Sequence, residues 1–515
     1  MLYKSTLEAR DGTLIPVFCD GKTMFSRYAP AREVESFGAG PSPGDGQQEG
    51  GDNDFLMVCG LGNGLHIQSL ARRFPASPIL VIERSREDIR WLTEHFDMED
   101  LLSRRNLWIA TVSEAAAALV RHYNPLLHGN FRLLPLRSWM DQLPDEAESI
   151  RAAIQEALDS IAGDYSTQAH FGKIWLRNFF LNLAIAPELG AAPPLPDPSG
   201  YREAFVAAAG PGLEGFFGGL QDPCIRDKVY LIATDTALPA LLRHSIRPDM
   251  AVTIDGQASS TRHFLQAIPR SMVLAADISS CPGVIRRCHS SGCPVLLFKN
   301  NNPLPGLLNQ YLDERGLQGL PEIETGAGTV TAAAIDLARA MGFTQVQVGG
   351  GDFAYLDGKP YCRGTYFEDQ FCREGSLLLP QEHRYVGLLY RLKTTGTGGR
   401  LVTPVLEGYR KSLSQYMQRH PRIRFVMGGG SLDLSSPPPP ASSPRLSACR
   451  LGEGDLRGFV DWYKELLQAG HQDVISSILP FYGWYLKKNG EKCDVFHIMK
   501  LAYSHVVRYT GRYGK

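Results

Sequence analysis

The sequence has no apolar run of membrane-spanning length, no block of basic residues and no Cys-x-x-Cys pair. The first absence leaves no bilayer-crossing helix to expect. The second, with a formal net charge of −1, argues against nucleic acid or an anionic membrane as the main partner. The third removes the usual spacing of a structural zinc site. The ten cysteines are scattered (Cys59, Cys224, Cys281, Cys288, Cys293, Cys362 and Cys372 among them), and reduced thiols fit a cytosolic chain. The start, MLYKSTLEARDG, lacks the apolar core of a secretory signal. The expectation is a soluble, cytoplasmic protein. No Asp-x-Asp stands at the end of an expected strand, so a metal-bridged nucleotide is not indicated, and no internal repeat is apparent.

What is present is ample core material: 515 residues, 43% of them hydrophobic, enough for two to four domains. Two stretches read as loops or linkers. GAGPSPGDGQQEGGDND (38–54) has almost nothing to bury, and SSPPPPASSPR (435–445) favours an extended spacer. Between them the pattern alternates. FLMVC (55–59) is an expected strand, followed by GLGNG (60–64), a helix and a second strand, ILVI (79–82), which ends in Glu83. Glycines at the turn and an acid 23 residues after Gly60 are the opening of a Rossmann-like unit, with Glu83 where a ribose hydroxyl would sit. S-adenosylmethionine or a dinucleotide would suit it, although a structural or vestigial role is the favoured reading. NLWIATV and NFRLLPL add strands.

A helical bridge covers roughly residues 145–190, with apolar residues at helical spacing in IWLRNFFLNLAIA. A second alternation follows. EAFVAAA (203–209) meets GPGLEG, VYLIA (229–233) meets Thr234-Asp235, and AVTI (251–254) meets Asp255-Gly256. MVLAA (272–276) meets Asp277, VLLF (295–298) meets Lys299-Asn300, and VQV (346–348) meets Gly349-Gly350-Gly351-Asp352. Strands alternating with helices predict a mostly parallel sheet. One strand-end acid is an ordinary helix cap. Four of them, Asp235, Asp255, Asp277 and Asp352, with glycine turns at 210–212 and 326–328, point to a shared ligand at the carboxyl edge of the sheet. Gly210-Pro211-Gly212 and Gly326-Ala327-Gly328-Thr329 each open a helix whose N–H groups would suit a phosphate, and each is equally a tight turn. Thr329 is either a cap or a hydroxyl donor to the ligand.

AAGPGLE, IATDTALPALLRHSIRPDMAVTIDGQ and TGAGTVTAAAIDLARAMGFTQVQVGGGDFAYLDGK, in that order, resemble the central domain of the motility accessory factor (Maf) flagellin glycosyltransferases. That domain is shared with 6-hydroxymethylpterin diphosphokinase-like proteins. The resemblance covers roughly residues 160–435, and the parts flanking it fit the three-part Maf layout more loosely. The family's GPSL is Gly210-Pro211-Gly212-Leu213 here, which removes a hydroxyl and leaves phosphate contact to backbone N–H alone. The same region resembles bacterial sialyltransferases that use CMP-sialic acid. That likeness implies Thr329, Gly350, Asp352, Tyr355 and Tyr361 as nucleotide-site counterparts, the tyrosines after a one-residue shift, and His383 in EHRYVG as the catalytic base. Tyr355 and Tyr361 are otherwise core residues.

The resemblance implies transfer of a nonulosonic sugar from CMP to Ser or Thr of flagellin, with no required cofactor. Departure of CMP needs hydrogen-bond donors, and the acceptor hydroxyl needs a base. Asp352, His383 and Asp255 are the catalytic candidates. Gly210, Pro211, Gly212, Thr234, Asp235, Asn300, Gly326, Gly328, Thr329, Gly350, Tyr355 and Tyr361 are the donor-binding ones, with Lys299 and Arg363 as possible phosphate or carboxylate partners. No metal ligand is named. A diphosphokinase-like pyrophosphotransferase is the alternative, holding Mg²⁺ on acids such as Asp235, Asp255 and Asp352. A flagellin-binding protein without catalysis is another. The expected architecture is α/β, with two Rossmann-like domains (1–145 and 146–434), a linker (435–448) and a helical C-terminus (449–515). Three helices are expected in that last part, GFVDWYKELLQ, VISSILPFYGWYLKK and VFHIMKLAYSHVVRY, whose aromatic stripes read as packing surface.

Overall fold

The computed structural model describes residues 1–38, 53–190, 193, 195–326, 328–396, 399–427, 432, 446 and 451–511, Asp145 without its side chain. The polar stretch 39–52 and the Pro/Ser-rich stretch 435–445, both read above as loop or linker, lie outside the described residues, as does Ala327. The chain divides into two compact units, Met1–His170 with Tyr482–Lys492, and Phe171–Phe481 with Cys493–Lys515. The division falls inside one long helix, Pro144–Ile185.

The first unit opens with an antiparallel hairpin, β1 (Tyr3–Glu8) and β2 (Leu14–Phe18). It continues into a four-stranded parallel sheet of β3 (Phe55–Cys59), β4 (Ile79–Glu83), β5 (Leu107–Thr111) and β6 (Phe131–Pro135), in the order β5-β4-β3-β6. The strands β3 and β4 are buried along their whole length. This is why they read as unbroken apolar runs rather than as alternation.

The second unit carries β7 (Glu203–Ala207), β8 (Val229–Thr234), β9 (Met250–Thr253), β10 (Val273–Asp277), β11 (Val295–Phe298) and β12 (Gln345–Gly349). Two short strands, β13 (Tyr355–Leu356) and β14 (Arg400–Leu401), pair antiparallel beside it, and β15 (Arg424–Met427) completes the main sheet. That sheet is parallel throughout, in the order β11-β10-β9-β8-β7-β12-β15. The chain steps outward from β7 to β11, then returns to place β12 on the other side of β7. The order therefore reverses between β7 and β12, and a ligand crevice is expected outside the carboxyl ends of those two strands.

The helix Val330–Ala340 packs across β7, β8, β9 and β12 with an almost wholly buried alanine-rich body. Small side chains let a helix lie close on a sheet. The three expected C-terminal helices are Glu453–Ala469, Ile475–Asn489 and Val495–Thr510. Phe459 and Tyr463 of the first pack on Phe179 and Phe180, so the aromatic stripe is packing surface. The fold is α/β with two parallel sheets and C-terminal helices. No described helix is long and apolar enough to cross a membrane.

Candidate functional site

At the order reversal two loops lie side by side. The N–H of Ala208 donates to the Gly349 carbonyl (2.8 Å) and that of Gly210 to the Gly350 carbonyl (2.9 Å). The N–H of Gly212 donates to Asp352 Oδ2 (2.8 Å). The glycines follow from this proximity. A Cβ on Gly210 or Gly212 would run into the Asp352 carboxylate, and one on Gly349 would lie 2.5 Å from Phe205 and 2.9 Å from Phe216. Gly350 has φ +72°, and a Cβ there would strike the Ala208 carbonyl. Burial pushes the Asp352 carboxyl above its ordinary value, against the pull of the Gly212 N–H and the Arg400 charge. Arg400 also donates to the Asp352 carbonyl (3.2 Å). The next residue, Phe353, sits at φ 43°, and Asp357 at φ 48°. Such backbone is costly for residues with side chains and gathers at ligand clamps and switch segments.

Beside this pair, the ends of β8 and β9 hold Asp235 and Asp255. Thr234 donates to the Ala207 carbonyl (3.1 Å). Asp235 accepts from the Thr236 N–H (2.7 Å) and, through its other oxygen, from the Thr253 hydroxyl (2.9 Å). Asp255 accepts from the Gln257 N–H (2.8 Å). Its carboxyl is raised by burial and by the Asp235 charge, while the Gln257 N–H and His263 act in the opposite sense. Asp277 differs, because both its oxygens are taken inside the protein, by the N–H groups of Ser279 (2.7 Å) and Asn300 (3.1 Å). Burial pushes it up to about 7. The Asn300 side chain closes its own turn by accepting from the Asn302 N–H (2.7 Å), and Lys299 pairs with Glu322 (2.6 Å).

Tyr361 stacks on Phe367 with ring centroids 4.7 Å apart and planes 3° from parallel. Burial pushes its hydroxyl up to about 12, reinforced by Tyr355, Asp235 and Tyr409 nearby. Tyr361, Tyr355 and Asp235 therefore share one neighbourhood. The Cys362 N–H donates to the Ala209 carbonyl (2.9 Å), tying this segment to the β7 loop. Thr329 caps its helix, accepting from the Ala332 N–H (3.1 Å), and Gly326 and Gly328 turn the loop before it at φ +56° and +82°. Of the two roles considered for Thr329, capping is the one its side chain performs. His383 lies exposed on the helix Gln381–Leu389, and among the described residues its imidazole makes no hydrogen bond or ion pair with Asp255 or Asp352. Arg363 is exposed, and among the described residues its backbone N–H donates to Glu214 (3.0 Å) while its guanidinium makes no hydrogen bond or ion pair.

Sequence reasoning passed over three contributors. Asn178 and Asn182, one helical turn apart on Pro144–Ile185, donate to the carbonyls of Gly256 (2.8 Å) and Ser279 (3.1 Å), and of Ile278 and Ser280 (both 2.8 Å). They pin the loops after β9 and β10. The available signal was two asparagines on the apolar face of a helix. His263, in the turn Ala258–Phe264, stands among Asp255, Tyr366 and Phe367.

In the first unit Glu83 is spent on protein. It accepts from the Tyr3 hydroxyl (3.0 Å), Trp139 Nε1 (2.7 Å) and the N–H groups of Leu61 (3.0 Å) and Arg84 (2.8 Å). Side chains also cover the glycine loop, since a Cβ on Gly62 would lie 2.7 Å from the Met24 sulfur and one on Gly60 3.0 Å from Trp139. Four donors and a covered loop match a structural role for this motif.

A family model described as 6-hydroxymethylpterin diphosphokinase MptE-like matches residues 177–358. An uncharacterized protein of Treponema pallidum (strain Nichols) is 26% identical over 252 residues, 48% of this chain and 80% of that protein. A second is 34% identical over 147 residues, 28% of this chain and 68% of that protein. The chain belongs to the family of that second treponemal protein. Among solved structures, the Maf glycosyltransferase from Magnetospirillum magneticum AMB-1 is similar over 99% of this chain and 86% of that one, with a TM-score of 0.52 and 14% identity. The chain thus has the Maf fold along its length, with an MptE-like domain in its middle.

Proposed function

We propose that this protein is a cytoplasmic glycosyltransferase that moves a nonulosonic sugar from CMP to a serine or threonine hydroxyl of flagellin. The observation that carries the reading is the apposition of the β7 and β12 loops at the order reversal, with Tyr361, Tyr355 and Asp235 beside them. The N–H groups of Gly210 and Gly212 are already given to Gly350 and Asp352, so a nucleotide phosphate is met there by the tyrosine hydroxyls, donors that strengthen as charge builds on the departing CMP. Asp352 acts as a positioning residue, because it fixes the turn at Gly212 from across the loop pair. The transfer step invokes no metal. The Maf fold along the chain supports a sugar donor and an acceptor. The nucleotide, the sugar and flagellin come from the sequence resemblance.

The match to a diphosphokinase-like family model favours pyrophosphate transfer as the second reading. Its expected Mg²⁺ ligands, Asp235, Asp255 and Asp352, do not form a cluster, and no three His, Cys, Asp or Glu side chains of the described residues gather as a metal site. A thermal-shift panel separates the readings. CMP at 100 times its dissociation constant stabilises the folded state by about 2.7 kcal/mol, and S-adenosylmethionine is expected to do nothing, because Glu83 and the glycine loop are occupied by protein. A response to S-adenosylmethionine alone, or to a nucleoside triphosphate only with Mg²⁺, contradicts the proposal.

A further inference from the structure

We propose that His263, in the turn that follows Asp255 at the sheet edge, accepts the proton of the incoming hydroxyl; this rests on the glycosyl-transfer reading. The turn that carries it, Ala258–Phe264, begins after four intervening residues past the end of β9, on the carboxyl side of the sheet where the strand-end acids lie. Its Nδ1 is buried and has no hydrogen-bond partner among the described residues. Buried ring nitrogens are normally satisfied, so this one has hydrogen-bonding capacity that the described residues leave unspent. Asp255 Oδ1 is taken by the Gln257 N–H, and Oδ2 makes no hydrogen bond among the described residues. The Asp255 carboxyl, with that oxygen unused, lies within electrostatic reach of the imidazole.

The ring is walled by aromatic groups, with Tyr366 edge-on at 5.9 Å and Phe367 at 6.1 Å. Phe367 in turn stacks on Tyr361. One aromatic wall therefore joins the proposed base to the tyrosine of the proposed leaving-group site. Besides Asp255 and Tyr366, the charged groups nearby are Arg262, whose guanidinium lies 5.3 Å over the Tyr366 ring, and those of two packed helices. Leu238–Arg243 brings Arg243, paired with Asp369 (2.6 Å). Pro282–Ser290 brings Arg286, His289 and Arg287, the last donating to the Leu265 carbonyl (2.8 Å). In the step, the acceptor oxygen bonds to the anomeric carbon as its proton passes to His263. The bond to the CMP phosphate oxygen breaks with its electron pair going to CMP, and the imidazolium releases the proton to water afterwards.

The test compares wild type with His263→Asn and Asp255→Asn, using CMP-activated nonulosonic acids and flagellin. CMP binding, sugar transfer and hydrolysis of the donor to water are each followed across pH. His263→Asn is expected to keep CMP binding and melting temperature while transfer falls by about 10²–10⁴-fold, and the acid limb of the rate profile disappears. Asp255→Asn is expected to lower transfer by a smaller factor while CMP binding and melting temperature are kept. Imidazole in the buffer is expected to restore part of the activity of His263→Ala. Undiminished transfer by His263→Asn with an unchanged profile overturns the assignment alone. Loss of CMP binding and folding in that variant makes the residue structural and also overturns it. A wild type that neither binds CMP nor transfers or hydrolyses the donor overturns the transferase reading and this proposal with it.

Discussion

Asp277 shows how one strand-end acid differs from its neighbours. It is 1% exposed and accepts two backbone N–H groups, yet burial outweighs them and holds its carboxyl near 7. In the unfolded chain an Asp titrates near 3.9. Between those values the folded protein keeps a proton that the unfolded chain has lost. The stability this group contributes is therefore full below about pH 4 and is lost as pH rises through about 7. Urea unfolding at pH 5 and pH 8 checks it, with wild type expected to lose roughly 2–3 kcal/mol more between the two than Asp277→Asn does. The variant is also less stable at pH 5, because an amide cannot accept at both positions. An equal pH slope in the two proteins would show that Asp277 is ionised throughout.

Among elements, the decisive pair is the β7 loop with the β12 loop. Gly212→Ala sets a methyl against the Asp352 carboxylate, and Asp352→Ala leaves the Gly212 N–H without its partner. Each change is expected to cost about 1–3 kcal/mol and to lower CMP affinity, with the sheet intact by circular dichroism. If both variants bind CMP like wild type, the loop pair is packing and the nucleotide lies elsewhere. The strands here were legible because parallel strands buried on both faces appear as unbroken apolar runs. The hairpin β1–β2, the two-residue pair β13–β14 and the edge strand β15 were not, since such short or exposed segments carry little periodicity. The acids at strand ends were legible, but their partners were not. Gly212 and Asp352 are 140 residues apart, and no local pattern announces such a bond. His263 was missed because the short turn ASSTRHF has no helical or strand signature, and the Asn178–Asn182 pair because asparagine in a helix reads first as a surface residue.

On the scale of the whole molecule, two parallel sheets with glycine turns carry different fates. The first unit fills its turn with Met24 and Trp139 and saturates Glu83. The second keeps Asp255 half-committed, His263 unpartnered at Nδ1, and strained backbone at Phe353. Both units leave some buried polar atoms unpaired among the described residues, His66 Nδ1 and Arg104 Nε in the first among them. What separates the two is that the first has spent its strand-end acid and covered its glycine turn, and the chemistry proposed above belongs to the sheet edge of the second. The most direct measurement is the intact mass of flagellin after incubation with this protein and a panel of CMP-activated nonulosonic acids. The account predicts mass gains of whole sugar residues with one donor of the panel, absent when the donor is omitted. Unmodified flagellin with every donor, from a protein that hydrolyses none of them, would contradict it.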